Sequence, residues 1–194
     1  MPAIPPLTEP LSDGVLALRY TLAHDIPEIL IAYQDDPMLH VRMCRPRPPS
    51  GAELGRELEA AERDRAEGVR ASLTLLEPPS DVCHGVLSLH TIEWEDRRAE
   101  LGLWVVPSRR GQGLGRRALE LVAPWLFGAA GLQRIQLLTE PDNEPMLRAA
   151  HRAGFEGEGV LHRYRYGRDM ALLSLLPSDR ASRAVEASQG ERAG

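Results

Sequence analysis

The residues best suited to chemistry lie in one short stretch, Val105–Arg117, which reads VVPSRRGQGLGRR. Gly111, Gly113 and Gly115 stand at alternate positions, flanked by Arg109, Arg110, Arg116 and Arg117. The apolar segment before it, Ala99–Val106, reads as a strand, and the segment after it, Leu114–Phe127, reads as a helix. A glycine-rich turn entering a helix presents backbone N–H groups that have no partner within the helix. Those donors and the positive end of the helix dipole suit a phosphate or pyrophosphate. Glycine serves twice in such a turn, by tolerating unusual dihedrals and by letting a ligand approach the backbone.

Three phosphate-binding patterns compete for this stretch. A P-loop requires G-x-x-x-x-G-K-[ST], and the chain contains no lysine. A dinucleotide fingerprint requires G-x-G-x-x-G early in a doubly wound unit, with an acidic residue about 20 positions on. The spacing here is G-x-G-x-G, past the middle of the chain; Glu140 could stand in for the ribose-binding acid, so that reading stays open. The third pattern, [RQ]-x-x-G-x-[GA], is matched by Arg110-Gly111-Gln112-Gly113-Leu114-Gly115.

That third pattern resembles the pyrophosphate loop of the GNAT acyltransferases, and the likeness extends over about Val15–Leu176. Glu100-Leu101-Gly102 through Val106-Pro107, the strand Gln133–Thr139, Asn143, Arg152-Ala153-Gly154-Phe155, the Gly157–Gly159 turn and Asp169 are similar to the RimJ/RimL-like branch, the ribosomal-protein N-terminal acetyltransferases. The resemblance implies an α/β (α+β) GNAT fold. Its mixed, mostly antiparallel sheet would splay at an acetyl-CoA site, with helices on both faces. It implies acetyl-CoA as cosubstrate, no metal, and a primary amine acceptor, either a small molecule or a peptide N-terminus. Backbone groups of Trp104, Val105 and Val106 would pair with the pantetheine arm. Loop groups of Arg110, Gly111, Gln112, Gly113, Gly115 and Arg116 would take the pyrophosphate. Asn143 would reach the pantetheine or, as an ordinary helix cap, only close the next helix. At roughly 1.5–3 kcal/mol per charge-assisted contact, a few contacts suffice for micromolar binding.

Transfer from a thioester to an amine needs a group that accepts the amine's proton and a donor for the developing oxyanion. Glu100, on the strand entering the site, is the first candidate base; paired with Arg98 or another arginine it would instead be a plain surface residue. His90, at the end of the neighbouring strand, is the second, because an imidazole titrates near neutrality. His151 and His162 are weaker candidates. Where the family places a tyrosine or a serine to protonate the thiolate, this chain has Ala150 and Met146. Tyr164 or Tyr166 could substitute. The missing hydroxyls keep open a second function class, a noncatalytic acyl-CoA-binding sensor or partner protein.

The elements that must position these groups follow from periodicity and punctuation. The 194 residues suit one domain with tails. We expect an irregular arm over 1–13, the acetyltransferase domain over 14–177 and a disordered tail over 178–194. The reading gives a strand over Val15–Tyr20, a helix opened by Thr21 or Asp25 with Pro27 in its first turn, and a proline-rich loop over Asp36–Ser50. That loop carries Arg42, Arg45 and Arg47, which either lie solvated or receive an acidic acceptor. Ser50 and Glu53 form a capping-box pattern opening a helix to Glu67. Strands follow over Val69–Leu76, Val82–His90 and Arg98–Val105. On the last, Leu101, Leu103 and Val105 share one face while Glu100 and Trp104 share the other. Pro124 should kink or end the helix after the loop. Then come the strand Arg134–Thr139, the helix Asn143–Ala153 and a closing hairpin turning at Gly167-Arg168.

The net charge of −5 argues against nucleic-acid binding by the whole surface. The two cysteines, Cys44 and Cys83, have neither metal nor disulfide spacing and read as small buried or half-buried residues. No apolar run approaches the roughly 20 residues of a membrane span, and the Pro-rich start lacks a signal pattern. The expectation is a cytoplasmic protein, monomeric or homodimeric, with no nucleic acid or membrane among its partners.

Overall fold

The computed structural model describes residues 2–179. Eight strands form one sheet: β1 (Leu11–Ser12), β2 (Ala17–Tyr20), β3 (Ala71–Leu76), β4 (Gly85–Glu93), β5 (Arg98–Val105), β6 (Arg134–Thr139), β7 (Glu156–Arg165) and β8 (Arg168–Leu175). Their order across the sheet is β1-β2-β3-β4-β5-β6-β8-β7. Every neighbouring pair is antiparallel except β5 and β6, which run parallel. A doubly wound parallel sheet is therefore ruled out, and the dinucleotide-fold alternative goes with it.

The helices are α1 (Ile26–Asp35), α2 (Leu39–Arg42), α3 (Gly51–Ala66), α4 (Leu114–Gly128) and α5 (Glu144–Ala153). They divide the sheet into two faces. Leu114, Ala118, Leu119, Val122 and Leu126 of α4 recur at helical spacing and are fully or nearly fully buried. They pack against Leu18, Leu73, Leu75, Leu87, Leu89, Leu101, Ile135 and Leu137 in the larger core. The opposite face carries a smaller core, with Ile29, Tyr33 and Leu54 of α1 and α3 set against Val86 and Trp104. Burying one such side chain contributes about 1.5–3 kcal/mol, so the two cores pin β5 from both sides.

The capping box opens α3 as its residue types require. Ser50 Oγ accepts from the Glu53 N–H, and the Glu53 carboxylate accepts from the Ser50 N–H.

Several expectations need correction. The arm is not wholly irregular: Leu11 pairs with Leu18, and Ile4 is buried. The Asp13-Gly14 turn explains this, since Asp13 Oδ1 accepts from the Val15 and Leu16 N–H groups and Gly14 takes φ +84°. The loop expected over Asp36–Ser50 contains the short α2. Helix α4 does not end at Pro124 but continues to Gly128. Pro124 lies on its exposed side, while Trp125 and Leu126 remain in the core. The tail expected over 178–194 falls, from 180 onward, outside the described residues.

Candidate functional site

Strand β5 is where the sheet opens. It pairs with β6 from Arg98↔Arg134 to Leu101↔Leu137 and no further. Beyond that point β5 continues beside β4 to Val105, while β6 continues beside β8 to Thr139. Two hydrogen bonds fix which backbone groups line the gap. The Val106 N–H donates to the His84 carbonyl (2.9 Å), toward β4, and the Gln133 N–H donates to the Arg97 carbonyl (2.7 Å), toward β6. Strand alternation between those points turns Gly102 and Trp104 toward β4 and turns Leu103 and Val105 toward the gap.

Of the three backbone positions expected to meet a pantetheine arm, only Val105 therefore faces the opening. The Val106 N–H is already bonded, and Trp104 faces β4. Leu103, whose backbone turns to the same side, was not among the expected positions. The Val105 carbonyl accepts from Arg110 Nε (2.9 Å), and Arg110 Nη2 reaches Asp36 (2.6 Å). The Arg110 side chain is thus tied to α1 and to its own strand.

At the end of β5 the chain reaches the glycine turn and α4. Gly111 and Gly113 take φ +76° and +84°, conformations that suit glycine, and a Cβ on either would meet nothing within 4 Å. Gly113 is the N-cap of α4 and provides no side-chain cap. The Arg117 N–H is the first to bond back, to the Gly113 carbonyl (3.1 Å). The N–H groups of Leu114, Gly115 and Arg116 thus have no partner inside the helix. At Gly115 a Cβ would come within 3.4 Å of Leu103 Cδ2, so the smallest residue lets the helix start sit against β5. The Gln112 side chain closes the turn on the Ser108 carbonyl (3.2 Å), and Arg116 pairs with Glu120 (2.8 Å). These donors fit an anionic diphosphate in chemistry and in space.

Asn143 behaves as a cap. Its Oδ1 accepts from the Met146 N–H (3.4 Å) and its Nδ2 donates to Thr139 Oγ1 (2.9 Å). Glu140 is salt-bridged to Arg168 rather than free for a ribose.

The acid–base candidates stand on the opposite face of β5. His90 and Glu100 are cross-strand partners, with His90 Nε2 3.9 Å from Glu100 Oε1. Glu100 is only 3% exposed and is held by both guanidinium nitrogens of Arg165, at 2.9 and 3.1 Å. The alternative reading of Glu100, paired with Arg98 or another arginine, holds for the arginine but not for the surface: the partner is Arg165, Arg98 turns to Glu93 and Asp96, and Glu100 is buried. Burial holds the half-buried His90 imidazole below its ordinary pKa; Glu100 opposes that shift and Arg165 adds to it. An imidazole of lowered pKa thus stands beside a buried carboxylate whose two oxygens are held by one guanidinium.

Arg165, also missed in the sequence, arrives from the far end of β7, and the adjoining turn ties down the α2–α3 loop. Tyr166 Oη donates to the Cys44 carbonyl (3.2 Å), and Arg168 Nη2 donates to the Val41 carbonyl (2.9 Å). The loop arginines keep contact with solvent, as one of the two readings had it, but each is also paired: Arg42 with Asp36, Arg45 with Glu57 and Arg47 with Glu53, their side chains 42%, 33% and 63% exposed. Both cysteines are free thiols: Cys83 is buried, which pushes its thiol up to about 12, and Cys44 is half-buried. His151 Nδ1 meets the Phe155 carbonyl (3.1 Å) and His162 meets Asp169 (2.9 Å), both away from Glu100. Among the described residues, no helix is long and apolar enough to cross a membrane.

Known proteins are similar to this chain in sequence and in fold. The uncharacterised N-acetyltransferase YoaA of Bacillus subtilis is 34% identical over 82 residues, covering 42% of this chain and 46% of that protein. The ribosomal-protein-serine acetyltransferase of Escherichia coli is 34% identical over 77 residues, covering 40% and 43%. The matched stretch thus spans somewhat less than half the length of these curated relatives. Among solved structures, Mycobacterium smegmatis RimJ in complex with CoA-disulfide superposes with a TM-score of 0.79 at 24% identity, over 97% of this chain and 98% of that one. Residues 16–156 match the acetyltransferase (GNAT) domain family, a stretch that runs from β2 through the gap, the glycine turn and α5. A sheet that parts between two parallel strands, an uncapped helix at the mouth of the gap and this family match together have one meaning: the chain belongs to the GNAT acetyltransferase family.

Proposed function

We propose that the protein is an acetyl-CoA-dependent N-acetyltransferase whose acceptor is a primary amine, on a peptide N-terminus or a small molecule. The observation that carries this reading is the opening of the sheet after Leu101 and Leu137, with anion donors at one end and a neutral imidazole on the face beside it. Acetyl-CoA, when bound, supplies an activated acetyl thioester and a thiolate leaving group. The amides of Gly113, Leu114, Gly115 and Arg116 would hold its diphosphate, and the gap-facing groups of Leu103 and Val105 would meet its amide arm and carbonyl. His90 Nε2 accepts the proton that the attacking amine gives up, and Glu100 stabilises the resulting imidazolium. Arg165 holds Glu100 in place through two hydrogen bonds.

Ala150 is fully buried in the core, so no hydroxyl stands at that position to protonate the thiolate. Tyr164 and Tyr166 are 55% and 71% exposed and Tyr166 Oη is already engaged with the Cys44 carbonyl, so water is taken as the proton source. The same fact supports the second reading, an acyl-CoA-binding protein without turnover. The relative named for a ribosomal-protein serine supports a peptide acceptor, and such an acceptor would place the reaction in the cytoplasm.

Calorimetric titration with acetyl-CoA, paired with a turnover assay, tests the proposal. Wild-type protein should bind in the micromolar range. Gly113→Glu should bind at least 100-fold more weakly, because it adds a carboxylate where the diphosphate would lie. Absence of binding by folded wild-type protein would remove the acyl-CoA reading altogether. Binding without release of CoA in the presence of any amine would favour the noncatalytic reading.

A further inference from the structure

Beside the end of β5 lies a buried carboxylate that the chemistry above does not use. Asp36, the residue after α1, is only 8% exposed. Its main chain and one carboxylate oxygen are spent on local structure. Its N–H closes α1 on the Ala32 carbonyl (3.0 Å), its carbonyl accepts from the Leu39 N–H (2.9 Å), and Oδ1 accepts from the Met38 N–H (3.1 Å). Those bonds account for the turn from α1 into α2. They leave Oδ2, which takes two guanidinium groups, Arg42 Nη1 at 3.0 Å and Arg110 Nη2 at 2.6 Å. Arg42 is a neighbour, at the end of α2. Arg110 lies 74 positions away, at the mouth of the gap.

Arg110 in turn acts on one peptide unit. The Val105 carbonyl faces the gap and accepts from Arg110 Nε (2.9 Å). The N–H of the same unit, that of Val106, donates to the His84 carbonyl (2.9 Å) on the other side. The plane of this peptide is therefore held from both directions. Strand β6 cannot hold it on the gap side, because its pairing with β5 stops at Leu101 and Leu137. A carbonyl oxygen has two lone pairs, so Arg110 leaves one for a donor in the gap. Fixing a half-exposed arginine side chain costs rotamer freedom. The charge-assisted bond from Asp36, itself anchored in the turn, offsets that cost and keeps the guanidinium in place.

We propose that Asp36 is a positioning residue for acetyl transfer: through Arg110 it fixes the Val105 carbonyl to accept from an amide N–H of the pantetheine arm. The inference rests on the acetyltransferase reading and adds to it a residue outside the glycine turn. It also separates the Arg110 side chain from the loop in which it stands. The diphosphate is left to the backbone amides at the start of α4, and the guanidinium serves the arm. To reach the diphosphate instead, it would have to give up its bonds to Val105 and Asp36 together.

The test compares acetyl-CoA with 3′-phospho-ADP, its nucleotide half, which carries the diphosphate but no arm. Both are titrated calorimetrically into each variant. Asp36→Asn keeps an acceptor for the Met38 N–H, so the turn into α2 stays closed, but it sets an amide donor against the two arginines. Acetyl-CoA should lose about fivefold or more in affinity relative to 3′-phospho-ADP, the worth of one ordinary hydrogen bond. Arg110→Met should lower the same ratio to a similar extent. The double variant should lie within about twofold of the weaker single variant, because both substitutions remove one interaction. A change of charge near the diphosphate acts on both ligands and cancels in the ratio. An unchanged ratio in either variant, or two losses that multiply in the double variant, would overturn the proposal. So would equal tightening of both ligands in Asp36→Asn with equal weakening in Arg110→Met, which would assign the guanidinium to the diphosphate. If folded wild-type protein binds neither ligand, the acetyltransferase reading falls and this one with it; wild-type binding with an unchanged ratio overturns this one alone.

Discussion

The two ends of β5 are built by different means. At its C-terminal end the anion cradle is made of main chain: consecutive amides from Gly113 to Arg116, arranged by glycines with positive φ. At Glu100 the reactive groups are side chains from separate elements, with His90 from β4, Glu100 from β5 and Arg165 from the end of β7. A backbone site is written in a short run of sequence and tolerates many side chains around it. A side-chain site depends on register, and one wrong partner changes what each group can do. Variants at the first should therefore alter binding of the cosubstrate, and variants at the second should alter the chemical step.

His90→Ala is the sharpest way to break that contrast. We expect kcat to fall about 10²–10⁴-fold, the usual contribution of a general base, while the Kd for acetyl-CoA stays within about twofold. The profile of log kcat against pH carries the same information. His90 must be neutral to accept a proton, so the rate should rise with pH through an apparent pKa below that of a free imidazole and level off above it. Glu100 raises the His90 pKa and Arg165 lowers it. Glu100→Gln should thus move the limb to lower pH, and Arg165→Met should move it to higher pH. Shifts in the opposite senses would return the base role to Glu100.

Arg165→Met should have a second, structural effect. Glu100 is almost wholly buried, and removing its partner leaves a charge without compensation. Breaking a buried pair costs about 3–5 kcal/mol; Arg165 is itself 26% exposed, so the lower end, about 3 kcal/mol in urea unfolding, is expected. Adding Glu100→Gln to Arg165→Met should recover a large part of that loss, because the orphaned charge is then gone. Failure of the double variant to recover would mean that Arg165 acts by packing rather than by charge.

These expectations also mark what the sequence could and could not reveal. The cradle was legible because its signal, Arg110 to Gly115, lies within a few residues and its geometry follows from glycine's freedom and an uncapped helix start. The strands were legible from alternation, and the Ser50–Glu53 cap from its spacing. The partner of Glu100 was not: Arg165 is separated from it by 65 positions and is one of 23 basic residues, all of them arginine. Only the register of β7 against β8 and the turn at Gly167 bring it over Glu100. Leu103 was not expected, for a subtler reason. Side-chain alternation along β5 was read correctly, but which amides face the gap depends on where the pairing with β6 ends, and that is a property of two strands.

The smallest expected effect tests a residue that belongs to neither mode. Asn143 sits near the mouth of the gap, where the family resemblance suggested a contact with the pantetheine arm. In the structure both ends of its amide are engaged locally, Oδ1 on the first turn of α5 and Nδ2 on Thr139. An N-cap asparagine replaced by alanine costs about 1 kcal/mol, so Asn143→Ala should lower unfolding stability by about that much. Acetyl-CoA affinity should stay within about twofold, because the amide is oriented locally by Thr139 and the first turn of α5 rather than toward the gap. Asn143→Asp separates the roles further. It keeps the cap acceptor and favours the helix N-terminus through its charge, but loses the donor to Thr139. If Asp restores stability and affinity is unchanged in both variants, Asn143 is a cap. If affinity falls in both while stability is restored in Asp, the amide nitrogen contacts the cosubstrate, and the cradle extends one element beyond the glycine turn.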